Sequence, residues 1–584
     1  MENSFTSIPY GIFKVNQCVV QNYLKYRKGY HRDLHDILLT YSSFFTKLFT
    51  EPCEMEKVQR FGLEFAEDHF KLVKHIITDS KSDQNGEPNP FIIPKSGDNR
   101  FKALQWTQYP FFDYIKQLHL LMERLALKIT DEVEMGEPGR RKIDFYTKQY
   151  TDLFSPANFL FTNPEALEKA WKSRGESLLN GFHNYVNDVE KGRISQADKS
   201  AFEVGRNLAI TPGSVIYQNE LIQLIQYKPA TSTVYEMPLL IIPPWINKYY
   251  VLDLQPENSF VKFMVDQGFS VFIISWRNPS KGMGDLTFED YVNQGALTAI
   301  EIVKIVCGIN KINVLGYCLG GTLLSIAASI LAARENEEIS SLTFLSAMVD
   351  FSDIGPMGDV INSSLVNKLE RGELLRDGLM HGHDMERAFN LIRAKDMVWC
   401  YAVDNYLKGM SAPVSDVMYW NNDNTNLPAK MYIYYMKEMI LKNKLRPKNA
   451  LRICGIKIDI GKIKEPVFVI AMKKDYISPP ATVFATTELV SGPVEFILGE
   501  SGHVMGVANP PSRKKYGHYL GGNLGNGYEE WLKTATFQEG SWWKSWSQKL
   551  KGNSGKLVPA PKISGNNKFK VIEPAPGKYV KEKC

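Results

Sequence analysis

The 584 residues predict an α/β fold that carries an inserted lid and follows a mostly helical N-terminal domain. Three observations point to this class. From Val215 onward, short apolar runs recur at 221–227, 239–242, 270–275, 312–315, 342–349, 467–472 and 494–498. Several are continuous, as strands buried on both faces of a sheet must be. Helical stretches such as 288–307 and 322–334 fall between them, and that alternation implies a sheet with helices on both sides. Residues 1–200 lack such runs: Phe111, Ile115, Leu118 and Leu121 instead recur every three or four residues, the helical period.

In chain order, residues 1–99 form a variable N-terminal segment whose last part, 80–99, is rich in turn formers and reads as a linker. Residues 100–203 read as a helical N-terminal domain, and 204–584 as the α/β domain. Between about 350 and 460 strand signals thin out. Helical and aromatic stretches replace them, notably 397–401 (MVWCY) and 431–436 (MYIYYM). An insertion of this kind between strands reads as a lid. After Trp542, Trp543 and Trp546 comes a lysine- and proline-rich stretch, about 550–584, with Lys551, Lys556, Lys562, Lys568, Lys570, Lys578 and Lys581, which reads as a solvated basic tail.

The totals narrow the class further. Length implies two domains, or one large domain with additions. A composition of 44% hydrophobic and 23% charged residues is ordinary for a globular protein. A net charge of +5 over this length is small: it argues weakly for anionic partners, a solvated surface explains it equally well, and no nucleic-acid partner is expected. Seven cysteines, at 18, 53, 307, 318, 400, 454 and 584, show neither paired nor zinc-like spacing. A reducing compartment without a disulfide framework is the expectation. The opening MENSFTSIPYG has no apolar signal-peptide core, so a cytoplasmic location is expected. His31, His35, His69, His75, His119 and His183 form no recognisable ligand set, and no metal is expected.

The chemistry concentrates at 311–334, KINVLGYCLGGTLLSIAASILAAR. A β-branched run leads to Gly316-Tyr317-Cys318-Leu319-Gly320, and a long small-and-apolar segment follows. This is the nucleophile-elbow pattern of the α/β-hydrolase fold, with cysteine in the place of serine. Residues two before and two after the nucleophile crowd the turn, so both must be glycine. The helix behind Cys318 turns free N–H groups toward a thiolate and a developing oxyanion. No charge occurs from Val314 to Ala333, a length sufficient for a membrane span. Its glycines, Tyr317, Thr322, Ser325 and Ser329 fit a buried core helix better, and no transmembrane segment is expected.

A nucleophile in this fold needs an acid and then a histidine, in that chain order. Of the later histidines, His381 and His383 lie in the lid and His518 in a loop. His503 directly follows the last apolar run, where the base belongs. Asp475 ends the run before it, and Asp350, at the end of 342–349, is its rival. The backbone N–H of Leu319 is the first oxyanion donor. The loop 242–248 (IPPWINK) supplies the second, assigned to the N–H of Trp245. A hydrolase such as an esterase could use the same triad, and a non-enzymatic protein would need none.

The chain resembles the polyhydroxyalkanoate synthases, the single-chain class I type most closely. The resemblance spans roughly 100–584 and rests on SPANFLFTNPE at 155–165, FEVGRN at 202–207, PPWINKYY at 243–250 and SWRNP at 275–279. It continues through KINVLGYCLGG at 311–321, DNYLKG at 404–409, SGHVMGV at 501–507 and EPAPGKYV at 573–580. It implies an α/β-hydrolase core behind an all-helical domain. The implied substrate is (R)-3-hydroxyacyl-CoA, with class I favouring short chains such as 3-hydroxybutyryl-CoA; the product is a polyester and CoA the leaving group. Cys318 would be acylated, His503 would deprotonate it, and Asp475 would also help to activate the 3-hydroxyl of the incoming unit. No cofactor is implied; a homodimer at the surface of polyester granules is. The family often places phenylalanine before the cysteine, where this chain has Tyr317.

Overall fold

The computed structural model describes residues 33–78, 89–95, 97–133 and 136–584. His31 and Cys18 lie outside the described residues, as does half of the linker expected at 80–99. The chain divides into two compact units: Met1–Asp198 with Arg387–Pro413, and Lys199–Glu386 with Val414–Cys584.

The first unit is helical. Its longer helices are α1 (Asp33–Thr50), α2 (Pro52–Thr78), α3 (Pro110–Glu132), α4 (Glu137–Leu153) and α5 (Glu176–Lys191). Pro110 begins α3, where a missing N–H costs nothing and the fixed φ suits the first turn. Gly192 ends α5 in the left-handed conformation. Residues 387–413 complete this unit. Trp399, Ala402 and Tyr406 pack with Leu153 and Ile194, and Tyr406 donates to Asp188 at 2.9 Å. Any side chain at Gly181 would strike the Tyr406 carbonyl. The aromatic stretch 397–401 therefore serves a core. Arg100 is buried among Asp98, Glu123 and Asp152. Beside it, burial first and the Arg100 charge second push His119 down to about 4.

The second unit is built on an eleven-stranded sheet. In chain order the strands are β1 (Gly213–Gln218), β2 (Ile222–Tyr227), β3 (Leu239–Ile242), β4 (Val271–Trp276), β5 (Ile312–Tyr317) and β6 (Ile339–Leu345). They continue with β7 (Val467–Met472), β8 (Val494–Gly499), β9 (His518–Leu520), β10 (Thr536–Gln538) and β11 (Glu573–Pro574). The spatial order is β10-β9-β8-β7-β6-β5-β3-β4-β2-β1-β11. The six central strands, β4 to β8 in that order, run parallel. Antiparallel strands extend both edges. Every residue of β3, β4, β5 and β7 is buried, which is why these strands read as unbroken apolar runs.

Helix α6 (Leu319–Ala333) follows β5 and is buried along most of its length. Its hydroxyls are satisfied at home: Thr322 donates to the Met348 carbonyl, Ser325 to Thr322 and Ser329 to Ser325, at 2.7–2.8 Å. That satisfaction is what allows polar residues inside an apolar core. Among the described residues no helix is long and apolar enough to cross a membrane.

The stretch expected to be a solvated tail is instead joined to the sheet. Strand β11 pairs with β1, Leu557–Pro559 pairs with Thr233–Tyr235, and Tyr579 and Val580 are buried. The lysines alternate with these anchors, so charge density concealed them.

Candidate active site

Four strands deliver the site residues at their carboxyl ends, where open α/β sheets place their clefts. Strand β5 ends at Tyr317, and Cys318 follows at φ 51°, ψ −124°. A non-glycine residue so placed costs about 1–3 kcal/mol, strain that surrounding structure must hold. The Cys318 N–H is anchored on the Leu345 carbonyl of β6 at 2.9 Å.

The glycines allow this turn, though not all for the expected reason. A Cβ on Gly316 would run into the Gly321 backbone, in keeping with crowding within the elbow. A Cβ on Gly320 would strike the carbonyl oxygens of Ile242 and Pro243, at the end of β3, so that clash is with the neighbouring strand. Gly321, which was not singled out, is needed as well, because a side chain there meets Ala347. The signal was present as the second glycine of the Gly320-Gly321 pair.

Strand β8 ends at Gly499, and the loop beyond it carries His503. Strand β7 ends at Met472, and three residues on stands Asp475. His503 Nδ1 and Asp475 Oδ2 are 2.6 Å apart, both side chains buried. The other carboxylate oxygen, Oδ1, accepts the N–H groups of Ile477 and Ser478, each at 2.8 Å. Cys318, half-buried, lies close enough to the His503 ring for the two to interact electrostatically. Burial disfavours the His503 cation, but the negative charge of Asp475, with the adjoining Cys318, outweighs it and holds the imidazole well above the usual histidine range.

Cys318, His503 and Asp475 are thus brought together; Asp350 is not. Its Oδ1 accepts from Asn443 at 2.7 Å, and its Oδ2 pairs with Arg446 at 2.9 Å. His518 is buried in β9 between the Gly540 carbonyl and the Ser545 hydroxyl. His383 is exposed beside Glu386. Leu319 opens α6, so its N–H belongs to the first turn, whose donors lack intrahelical acceptors. Trp245 stands in the turn after β3, and that turn abuts the elbow at Gly320. Its ring packs among Trp276, Phe288, Tyr291 and Tyr435.

Two tyrosines near Cys318 were not among the expected site residues. Tyr435, from the stretch 431–436, is buried and lies close enough to Cys318 for the two to interact electrostatically. It packs edge-on against Trp245. Tyr317 stacks on the His503 ring. The sequence marked both as aromatic but gave no sign of what they would touch. Among the described residues there is no group of His, Cys, Asp and Glu able to hold a metal ion, and no disulfide joins the free cysteines 53, 307, 318, 400, 454 and 584.

Comparisons with known proteins bear on this arrangement. Residues 97–264 match the family model described as the N-terminus of poly-beta-hydroxybutyrate polymerase (PhaC), and 238–506 match the alpha/beta hydrolase fold. A poly(3-hydroxyalkanoate) polymerase subunit of Cupriavidus necator is 41% identical over 491 residues, 83% of each chain. A poly(3-hydroxyalkanoate) polymerase of Methylorubrum extorquens is 39% identical over 86% of this chain and 83% of its own length. Poly(3-hydroxyalkanoate) polymerase 1 of Ectopseudomonas oleovorans is 31% identical over 94% of this chain and 95% of its own. With identity of this order running nearly end to end, through both the helical region and the elbow-bearing sheet, the chain belongs to the poly(3-hydroxyalkanoate) polymerases, enzymes of the acyltransferase type.

Proposed function

We propose that the protein polymerises (R)-3-hydroxyacyl-CoA, with 3-hydroxybutyryl-CoA the first substrate to test, into a polyester through a thioester on Cys318, releasing CoA. One observation carries the reading: a cysteine in strained backbone beside a buried imidazole that is itself held by a carboxylate. His503 takes the Cys318 proton. The sulfur attacks the acyl-CoA carbonyl, and the CoA sulfur leaves with that proton. One thioester replaces another, so the acyl group stays activated. A hydroxyl of a hydroxyacyl unit then gives its proton to His503 and attacks the Cys318 thioester, forming an ester and freeing the sulfur. The N–H groups of Leu319 and Trp245 are the proposed oxyanion donors, each contributing about 3 kcal/mol to the transition state.

Asp475 has both oxygens engaged, one by the ring and one by two backbone N–H groups. This favours its action through His503 over direct contact with the 3-hydroxyl. The acceptor must be an alcohol and not water, which calls for dry surroundings; Tyr317, Tyr435 and Trp245 supply aromatic walls. We place the enzyme in the cytoplasm at polyester granules, as a homodimer. The test is incubation of the purified protein with (R)-3-hydroxybutyryl-CoA. Polymer with stoichiometric free thiol supports the proposal. Free 3-hydroxybutyrate would make the protein a hydrolase, and no turnover would remove the enzymatic reading.

A further inference from the structure

Tyr317 occupies the elbow position directly before Cys318 and is almost wholly buried. Its ring centroid lies 5.4 Å from that of His503, with the two planes 28° apart. Its hydroxyl donates to the His503 backbone carbonyl at 3.4 Å. One side chain therefore touches the histidine twice, once on the ring and once on the main chain. Strand geometry imposes this: alternation along β5 sends Tyr317 to one face, while the strained turn swings the next side chain up to the sheet edge.

We propose that Tyr317 is a positioning residue for His503, whose ring fixes the imidazole plane and favours its protonated form and whose hydroxyl pins the loop that carries it. The inference rests on the reading of His503 as the base. An aromatic face within about 6 Å of a cation attracts it through the ring quadrupole. A stacked imidazolium is such a cation; a neutral imidazole gains less. The titratable groups facing the His503 ring are Asp475, Cys318 and Tyr317, with Tyr476 acting on Tyr317 from beyond it. Asp475 stabilises the cation by charge, and Tyr317 adds to it without introducing a charge, since burial keeps its phenol protonated.

The two contacts separate experimentally. The measurement is kcat/KM for CoA release from (R)-3-hydroxybutyryl-CoA against pH, in the wild type, Tyr317→Phe and Tyr317→Leu. The acid limb reports the free histidine, since a base acts only after losing its proton. Tyr317→Phe keeps the stack, so its limb should stay at the wild-type pH while the rate falls about three-fold for the lost hydroxyl contact. Tyr317→Leu removes the stack, so its limb should move about half a pH unit lower. A residue that merely filled space would lower the rate in both without moving either limb, and that result would overturn the inference. So would an equal shift in both variants. Should Tyr317→Leu fail to fold by circular dichroism, pentafluorophenylalanine at position 317 keeps the shape and reverses the quadrupole. Its limb should also move lower, and an unmoved limb overturns the proposal. A His503→Gln enzyme that releases CoA at the wild-type rate would remove the base reading and this inference with it. An inactive His503→Gln enzyme beside unmoved limbs would remove this inference alone.

Discussion

At the scale of single residues, proton affinity decides what the site can do. The His503 imidazole is held above its ordinary range, so at neutral pH its protonated form is favoured beside Cys318. A base must shed that proton, so CoA release should rise with pH through the raised value. Asp475→Asn removes a charge that raises it. Its acid limb should shift to lower pH, and the rate should fall by about a hundred-fold or more, as for loss of a working acid–base partner; a pH profile of CoA release checks both. Cys318→Ala should fold normally by circular dichroism and release no CoA above background. The turn's backbone has no slack either. Gly320→Ala drives a methyl into the carbonyls of Ile242, the last residue of β3, and Pro243 beyond it, backbone that cannot move aside. A loss of about 3 kcal/mol or more in denaturant unfolding is expected, at the upper end of overpacking costs.

At the scale of elements, the histidine loop is held from behind. Helix α7 (Trp542–Gly552) buries Trp542, Trp543 and Trp546 against Phe260. Its indoles donate to the carbonyls of Gly506 and Val507, at 2.8 and 2.9 Å. Those carbonyls lie three and four residues beyond His503. Trp543→Phe keeps most of the packing but leaves the Val507 carbonyl unpaired, a loss of about 1–3 kcal/mol. Thermal melting should show it, with a slower CoA release that is not accompanied by a shifted pH limb.

Elements also show what could be read in advance. The parallel strands were legible because burial on both faces forces unbroken apolar runs. The run expected as a strand at 342–349 is displaced, since β6 spans Ile339–Leu345. Ser340 and Ser341 disguise its start, yet Ser341 donates to Asn313 on the adjacent strand. Ala347 and Val349 stay buried after the strand has ended, so apolar character outran the ladder. Strands β9, β10 and β11 were illegible, being two or three residues long, of mixed polarity and on the sheet's edges.

At the scale of the whole molecule, the α/β class and its helical companion could be read from periodicity alone. The grouping of Arg387–Pro413 with Met1–Asp198 could not. An amphipathic stretch announces that it must bury a face, but not against which partner. The grouping of Cys318, His503 and Asp475 was legible because chain order and strand ends are fixed by the fold, and the rivals Asp350 and His518 are satisfied elsewhere. The stack of Tyr317 on His503 was not, because it joins residues 186 positions apart through the register of separate strands. The account as a whole requires that the acyl group rest on the enzyme between the loss of CoA and the formation of an ester.

The most direct test is to mix the enzyme with (R)-3-hydroxybutyryl-CoA, quench in acid within the first turnovers and map the peptides by mass spectrometry. A hydroxyacyl mass increment on the peptide bearing Cys318, labile to hydroxylamine and missing in Cys318→Ala, is the expected result. CoA release with no increment at Cys318, or with the increment on another residue, would contradict it.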